Sequence, residues 1–292
     1  KRKKQTMVKY CGREFSDKEI EEIRSMRRLY PNENRTNLSK RICKQFGWLK
    51  PNGGLKDMSC RVALLRMEKD SLISLPPPQK KNGNGHKKIV FTQITNPKPF
   101  VQKPVHELSG LKVVKVTKQK EARLWNEYIE RYHYLGYTSL PGAQIRYIVC
   151  SDDEVLALLG FGASAWMVAS RDTYIGWNHE QRKKGLHLIV NNARFLILPW
   201  IQSRNLGSKI LSLVAKQLLK DWQTTYNYSP VLLETFVQCD KFSGTVYKAG
   251  NWICVGKTKG RGKLEKHNKS CLPIKYVFLY PLVKNFRNIL CA

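Results

Sequence analysis

The sequence predicts a protein of α+β class, with a three-helix helix-turn-helix module followed by a larger α/β domain built on a mixed sheet. Three observations carry this. Short helical periodicities fill residues 10–75, strand and helix patterns alternate over 108–292, and a basic, Pro- and Gly-rich stretch separates them at 76–107. At 292 residues the chain can bury one large core and carry a smaller module besides.

Residues 1–9 read as a basic tail that is cheap to leave disordered and suited to lie along phosphates. Ser16-Asp-Lys-Glu19 has the spacing of a capping box, and Ile20, Ile23, Met26 and Leu29 continue it at helical intervals until Pro31. Further helices are expected over 38–46 and 55–69, separated by turn residues at 47–54. The third helix carries Lys56, Ser59, Arg61 and Arg66 around an apolar set of Met58, Val62 and Leu65, with Leu64 beside them. Such a helix suits a DNA major groove, with Arg61 on a base edge and Lys56 on a phosphate. A small helical bundle with a solvated basic face fits the same pattern.

The stretch 76–107 has the composition of a semi-extended linker. From 108 the second domain begins. A strand is expected over 111–116 and a helix over 118–132, followed by the aromatic run Tyr132-His-Tyr-Leu-Gly-Tyr137. Strands at 144–150 and 155–161 flank Ser151-Asp-Asp-Glu154, whose residues form tight hairpin turns. Arg171-Asp-Thr-Tyr-Ile-Gly-Trp177 mixes charge with aromatics, and a helix is expected over 178–190 with Arg182, Lys183 and Lys184 on it. The apolar run from Arg194 reads as a buried strand. After it Leu206, Ile210, Val214 and Leu218 set the stripe of a long helix, with Lys209, Ser212, Lys216 and Lys220 opposite. A strand over 230–237, a helix over 241–249 and strands over 252–257 and 275–280 complete the order. The loop Thr258-Lys-Gly-Arg-Gly-Lys263 is cationic and glycine-rich, a composition suited to phosphate contact.

Composition narrows the function. Lys and Arg number 52 against 22 Asp and Glu, a net charge of +30, which points to a polyanionic partner and first of all to nucleic acid. No apolar run approaches the roughly 20 residues of a membrane span, and no signal peptide opens the chain, so an intracellular, cytoplasmic protein is expected, nuclear in a eukaryotic host. The 8 cysteines are scattered without a C-x-x-C pair, the pattern of packed, reduced thiols, and no zinc site is expected.

Between the buried strand and the long helix, Gln202, Arg204, Asn205, Leu206 and Gly207 form a turn whose free amides and helix dipole can hold an anion. The spacing Gln-x-x-Asn-x-Gly resembles the Gln/Arg-x-x-Gly-x-Gly/Ala loop with which GCN5-related N-acetyltransferases grip the pyrophosphate of acetyl-CoA. Here Asn205 takes the place of the first glycine, where its side chain would crowd a phosphate. Val246-Tyr247-Lys-Ala-Gly-Asn-Trp252 resembles the segment of that family whose tyrosine protonates the departing thiolate, so the resemblance implies Tyr247 as general acid, with an ordinary phenol pKa. The element order helix, hairpin, strand, helix, strand, short helix, strand, strand is that family's, which makes the second domain GNAT-like. Glu234 closes the apolar run of a strand, where a charge is costly without a partner or a task, and is the expected base for an amine.

Over nearly the whole chain, motifs including Tyr-His-Tyr-Leu-Gly136, Ser-Arg-Asp-Thr-Tyr-Ile-Gly-Trp177, Glu-Thr-Phe236 and Gly-Lys-Thr-Lys-Gly-Arg-Gly262 resemble the DruA family of the Druantia anti-phage system. The resemblance implies DNA contact, a place in defence or mobile-element biology, and protein partners there. Three functions are therefore expected in competition. One is a DNA-targeted acyltransferase. A second is a Mg-dependent or tyrosine-dependent strand-cleaving enzyme of transposase type, with Asp172, Glu234 and Asp152 or Asp153 as ligands or Tyr247 as nucleophile. The third is an inactive DNA sensor or scaffold. Arg171, Arg182, Lys183, Lys259, Arg261 and Lys263 join the helical module's cations as expected nucleic-acid contacts, and Trp166, Tyr174, Trp177 and Trp200 as aromatics able to stack on a base or to pack in the core.

Overall fold

Ser16 caps the first helix as its motif requires: its hydroxyl accepts from Glu19 N, and the Glu19 carboxylate accepts from Ser16 N. In the computed structural model, which describes residues 7–79, 89–140, 142–261 and 272–292, the chain divides into two units, 1–87 and 88–292.

The first unit opens with an antiparallel hairpin of β1 (Met7–Tyr10) and β2 (Arg13–Ser16). The tail expected over 1–9 is thus a strand from Met7 onward. Cys11 at φ 51° and Gly12 at φ 79° make its turn, since both central residues of such a turn need positive φ. Helices α1 (Asp17–Leu29), α2 (Arg35–Gln45) and α3 (Asp57–Lys69) follow. Hairpin and helices share a core of Phe15, Ile23, Leu38, Ile42, Trp48 and Met67.

Helix α3 presents a different face from the one expected. Cys60, Ala63, Leu64 and Met67 are buried, whereas Met58, Val62 and Leu65 are 59%, 39% and 45% exposed. Two apolar sets lie along this helix, so its weak amphipathicity does not identify the packed one.

The second unit is a seven-stranded sheet of order β3-β4-β5-β6-β7-β9-β8. Its strands are β3 (Lys112–Lys115), β4 (Ile145–Ser151), β5 (Glu154–Ala163), β6 (Ile189–Ile197), β7 (Leu232–Gln238), β8 (Ile253–Lys257) and β9 (Lys275–Pro281). All neighbours are antiparallel except β6 and β7. The helices are α4 (Gln119–Tyr132), α5 (Ala169–Ile175), α6 (His179–Gly185), α7 (Leu206–Tyr226), α8 (Thr245–Ala249) and α9 (Phe286–Leu290). From α4 to β9 the expected order of helix, hairpin, strand, helix, strand, short helix and two strands is present, with α5 and α6 inserted after the hairpin.

Helix α7 buries the stripe read from the sequence, Leu206, Ile210, Val214, Leu218 and Trp222. Helix α4 packs on β5 where Gly160 leaves room: a Cβ there would meet the Trp125 ring at 2.9 Å. A second cluster joins Ile175, Trp177, Leu232, Val277, Leu279, Phe286 and Leu290.

Two expectations are corrected. The helix expected over 178–190 ends at Gly185, and Ile189 and Val190 already pair with β7. The expected linker is ordered onto the second unit between Thr92 and Val101. Thr92 N and Thr95 Oγ1 donate to the buried Glu127 carboxylate, and Val101 bridges to Ile201. No helix of the described residues is long and apolar enough to cross a membrane.

Candidate functional site

The two parallel strands of the sheet stay together for only three residue pairs, Ile189 with Leu232, Val190 with Leu233 and Asn191 with Glu234. Beyond them β6 and β7 part, and the side chains that span the opening are polar. Tyr247 Oη, from α8, donates to Asn192 Oδ1 at 2.8 Å. Thr235 Oγ1 donates to Asn192 O at 3.0 Å and lies 3.4 Å from Tyr247 Oη. Asn192 Nδ2 in turn donates to Arg194 O at 3.0 Å. The Tyr247 ring sits among Phe195, Trp252 and Phe278.

Burial pushes the Tyr247 phenol above its usual range, against the opposing pull of Thr235. The ordinary acidity expected of it is corrected: the proton is held, and it is directed at Asn192. Asn192 and Thr235 escaped the sequence reading, although the polar run Asn191-Asn192-Ala193-Arg194 inside a strand is the signal that could have found Asn192.

Glu234 occupies the opposite face. Successive residues of a strand point to opposite sides, so while Thr235 turns to Tyr247, Glu234 turns to α5. There its Oε2 accepts from Arg171 Nη1 at 2.8 Å and its Oε1 from Ala165 N at 2.9 Å, with both ionic side chains wholly removed from solvent. Burial raises the Glu234 carboxyl pKa, and Arg171 works against that rise. The expected acid and base therefore do not face one substrate.

Asp172 extends the same network. It pairs with Arg171 at 2.8 Å and with Arg182 at 3.2 Å, and accepts from Trp177 Nε1 at 3.1 Å. Arg171, expected on nucleic acid, is enclosed, and the Arg182 guanidinium is engaged by Asp172. Asp152, at φ 49°, shapes the β4–β5 turn and accepts from Ser109 Oγ, apart from Asp172 and Glu234. Among the described residues no three His, Cys, Asp or Glu side chains converge as metal ligands.

At the head of α7, Gln202 and Arg204 are exposed, and Asn205 caps the helix in the left-handed conformation, φ 64°, without a side-chain hydrogen bond. Leu206 N donates to Ser203 O and Lys209 N to Asn205 O. Gly207 is closely packed on its Cα side: a Cβ there would lie 2.7 Å from Val246 Cγ1 and 3.3 Å from Ile197 Cδ1. Gly207 thus lets α8 close on α7. Gln202, Arg204 and Asn205 stand exposed at the head of the helix, the residues that would meet a cofactor's phosphates there.

The remaining expected contacts are dispersed. On α3, Arg66 is exposed, Lys56 and Ser59 are half-buried, and Arg61 pairs with Asp57 at 3.3 Å. Trp166 and Lys183 are exposed in the second unit, as are Lys259 and Arg261, while Lys263 lies outside the described residues. Trp177 and Trp200 are core residues and Tyr174 is half-buried.

A family model described as Druantia protein DruA matches residues 66–271. No curated protein matches the sequence. Among solved structures, similarity is found to the ribosomal-protein-S18-alanine N-acetyltransferase from Escherichia coli, with TM-score 0.38 and 10% identity, covering 60% of this chain and 98% of that one. An acetyltransferase of the GNAT family from Streptococcus pneumoniae gives 0.37 and 11%, covering 58% and 99%. The Drosophila melanogaster polyamine N-acetyltransferase gives 0.36 and 11%, covering 58% and 100%. Likeness at this level bears on neither substrate nor cofactor.

Proposed function

Because the chain belongs to the family described as Druantia protein DruA, matched over residues 66–271, we propose that it is a nucleic-acid-binding protein whose acetyltransferase-like domain is a platform for that contact. The observation that supports this is the disposition of charge. The chain carries +30, and Glu234 and Asp172 are tied to arginines inside the fold. Exposed cations such as Arg66, Lys184, Lys259 and Arg261 are left to meet phosphates.

The platform reading is supported by the placement of Glu234 and Tyr247 on opposite faces of β7 and by Asn205 standing where the acetyltransferase loop has glycine. Use of α2 and α3 as a helix-turn-helix pair belongs to the same proposal. Met58, Val62 and Leu65 would then lie on the groove side, where apolar side chains contact thymine methyls. Its place would be in anti-phage defence, as the family resemblance implies.

Fluorescence anisotropy of labelled duplex and single-stranded DNA with the full chain tests the proposal. Affinity should fall steeply between about 50 and 200 mM salt, and Arg66→Ala and Arg261→Ala should each reduce the log–log slope by about one. Absent or salt-independent binding would refute nucleic-acid contact. Saturable heat on titrating acetyl-CoA at millimolar concentration would refute the platform reading and restore the acyltransferase.

A further inference from the structure

Six of the chain's 7 tryptophans are buried, and Trp166 is the exception, with 52% of its surface in water. Its neighbour Met167 is 67% exposed. They form the tip of the loop between β5 and α5. A large aromatic and a thioether side by side in solvent forgo burial that the other tryptophans obtain, which marks the tip as a contact surface.

The loop is held from both ends. Ala165 N donates to Glu234 Oε1 at 2.9 Å, and Ala165 O accepts from Arg171 Nη1 at 2.8 Å. On that same side Ser164 Oγ donates to Leu186 O at 3.1 Å, and beyond Met167 Val168 N donates to Asp172 Oδ2 at 3.3 Å. The buried ionic network thus fixes the backbone on either side of two exposed side chains. A preorganised contact loses less freedom on binding.

Basic side chains on α6 flank the indole, two of them in ion pairs, Arg182 with Asp172 and Lys183 with Glu180. The Arg182 guanidinium lies 5.6 Å from the indole's ring centroid and is itself oriented by Asp172, while the His179 ring stands nearly perpendicular to the indole with centroids 6.3 Å apart. Lys183 and Lys184, next along α6, are exposed, Lys183 in a solvent-facing pair with Glu180 at 3.8 Å that a phosphate can displace. An aromatic face with flanking cations is the composition that binds unpaired nucleic acid: a base stacks on the ring, and the backbone follows the charges.

We propose that Trp166 is a stacking platform for an unpaired nucleobase, on a strand whose phosphates run beside Lys183 and Lys184. This rests on the nucleic-acid reading above and adds to it the residue and the form of the ligand. The buried ion pairs then serve to hold the loop in place, with Arg171 and Glu234 as positioning residues.

The test uses the full chain, an oligothymidylate of about 20 nucleotides and a duplex of equal length. Trp166→Ala should weaken oligothymidylate binding about 5- to 100-fold while leaving duplex affinity within about twofold, and Trp166→Phe should retain most of the affinity. Combined replacement of Lys183 and Lys184 by Ala should lower the salt slope, which Trp166→Ala should leave unchanged. Unchanged melting of each variant excludes misfolding as the cause. If Trp166→Ala binds oligothymidylate as the wild type does, the stacking proposal is overturned and nucleic-acid binding stands. If the duplex loses as much as the single strand, the unpaired base is the wrong ligand. If the wild type binds neither nucleic acid, both readings fall.

Discussion

Arg171 Nη1 and Glu234 Oε2 lie 2.8 Å apart with both side chains at zero exposure, on the side of the sheet away from Tyr247. A buried pair of this kind is expensive to desolvate and more expensive to break. Glu234→Ala should destabilise the second unit by about 3–5 kcal/mol, because it leaves Arg171 charged beside the remaining Asp172 alone. Replacing both members by apolar residues, Arg171→Met with Glu234→Leu, should recover much of that loss. Urea unfolding of the two variants distinguishes a structural pair from a catalytic base: a fully stable Glu234→Ala protein would show that the carboxylate is not held as described.

Gly207 and Val246 make the second prediction. The Cβ of Gly207→Ala would stand 2.7 Å from Val246 Cγ1, so the substitution should cost about 1–3 kcal/mol by overpacking. Val246 is partly exposed on the short helix α8, and Val246→Ala in the same chain should return most of the loss. If Gly207→Ala alone melts like the wild type, α8 does not close on α7.

How far the sequence disclosed this fold can be traced to particular residues. The α7 stripe and the Ser16 capping box were legible because each rests on one local rule, helical periodicity or reciprocal capping. The β1–β2 hairpin was not, because Cys11 and Gly12 make its turn in place of the usual Asn-Gly signal. The end of α6 at Gly185 was missed because the strand residues Ile189 and Val190 continue the apolar pattern across the junction. At the site, Tyr247 was picked out by the motif around it and Glu234 by its charge at the end of an apolar strand. Their separation depends on the face each takes on a strand and on which helix covers it, and no linear spacing encodes that. The close approach at Gly207 likewise depends on a residue 39 positions away in the chain, Val246.

The register of α3 is open to a paired measurement. Leu64 is 2% exposed and Leu65 45% exposed, so the same truncation at adjacent positions should differ sharply. Leu64→Ala should cost about 2–5 kcal/mol in the first unit, and Leu65→Ala under about 1 kcal/mol. Equal costs, or the reverse order, would restore the face on which Met58, Val62 and Leu65 form the core. The same pair bears on function, since Leu65→Ala should alter DNA affinity without altering stability if this face enters a groove.

His133 provides a pH test. Burial, assisted by the Arg194 guanidinium, pushes its pKa down to about 4, against about 6.5 in the unfolded chain. The unfolded state therefore takes up a proton first, and stability must fall as pH drops from about 6.5 towards 4. Part of the ring is wet, so the loss should be about 1–2 kcal/mol, less than the full shift implies. His187 is lowered by burial too and contributes a loss of the same sign, which makes the difference between wild type and His133→Gln the informative quantity. Melting curves at half-unit steps should show the two proteins diverging across that window and parallel above pH 7. A wild type whose melting temperature rises on acidification there would place a partner for imidazolium beside His133 and remove Arg194 from its neighbourhood.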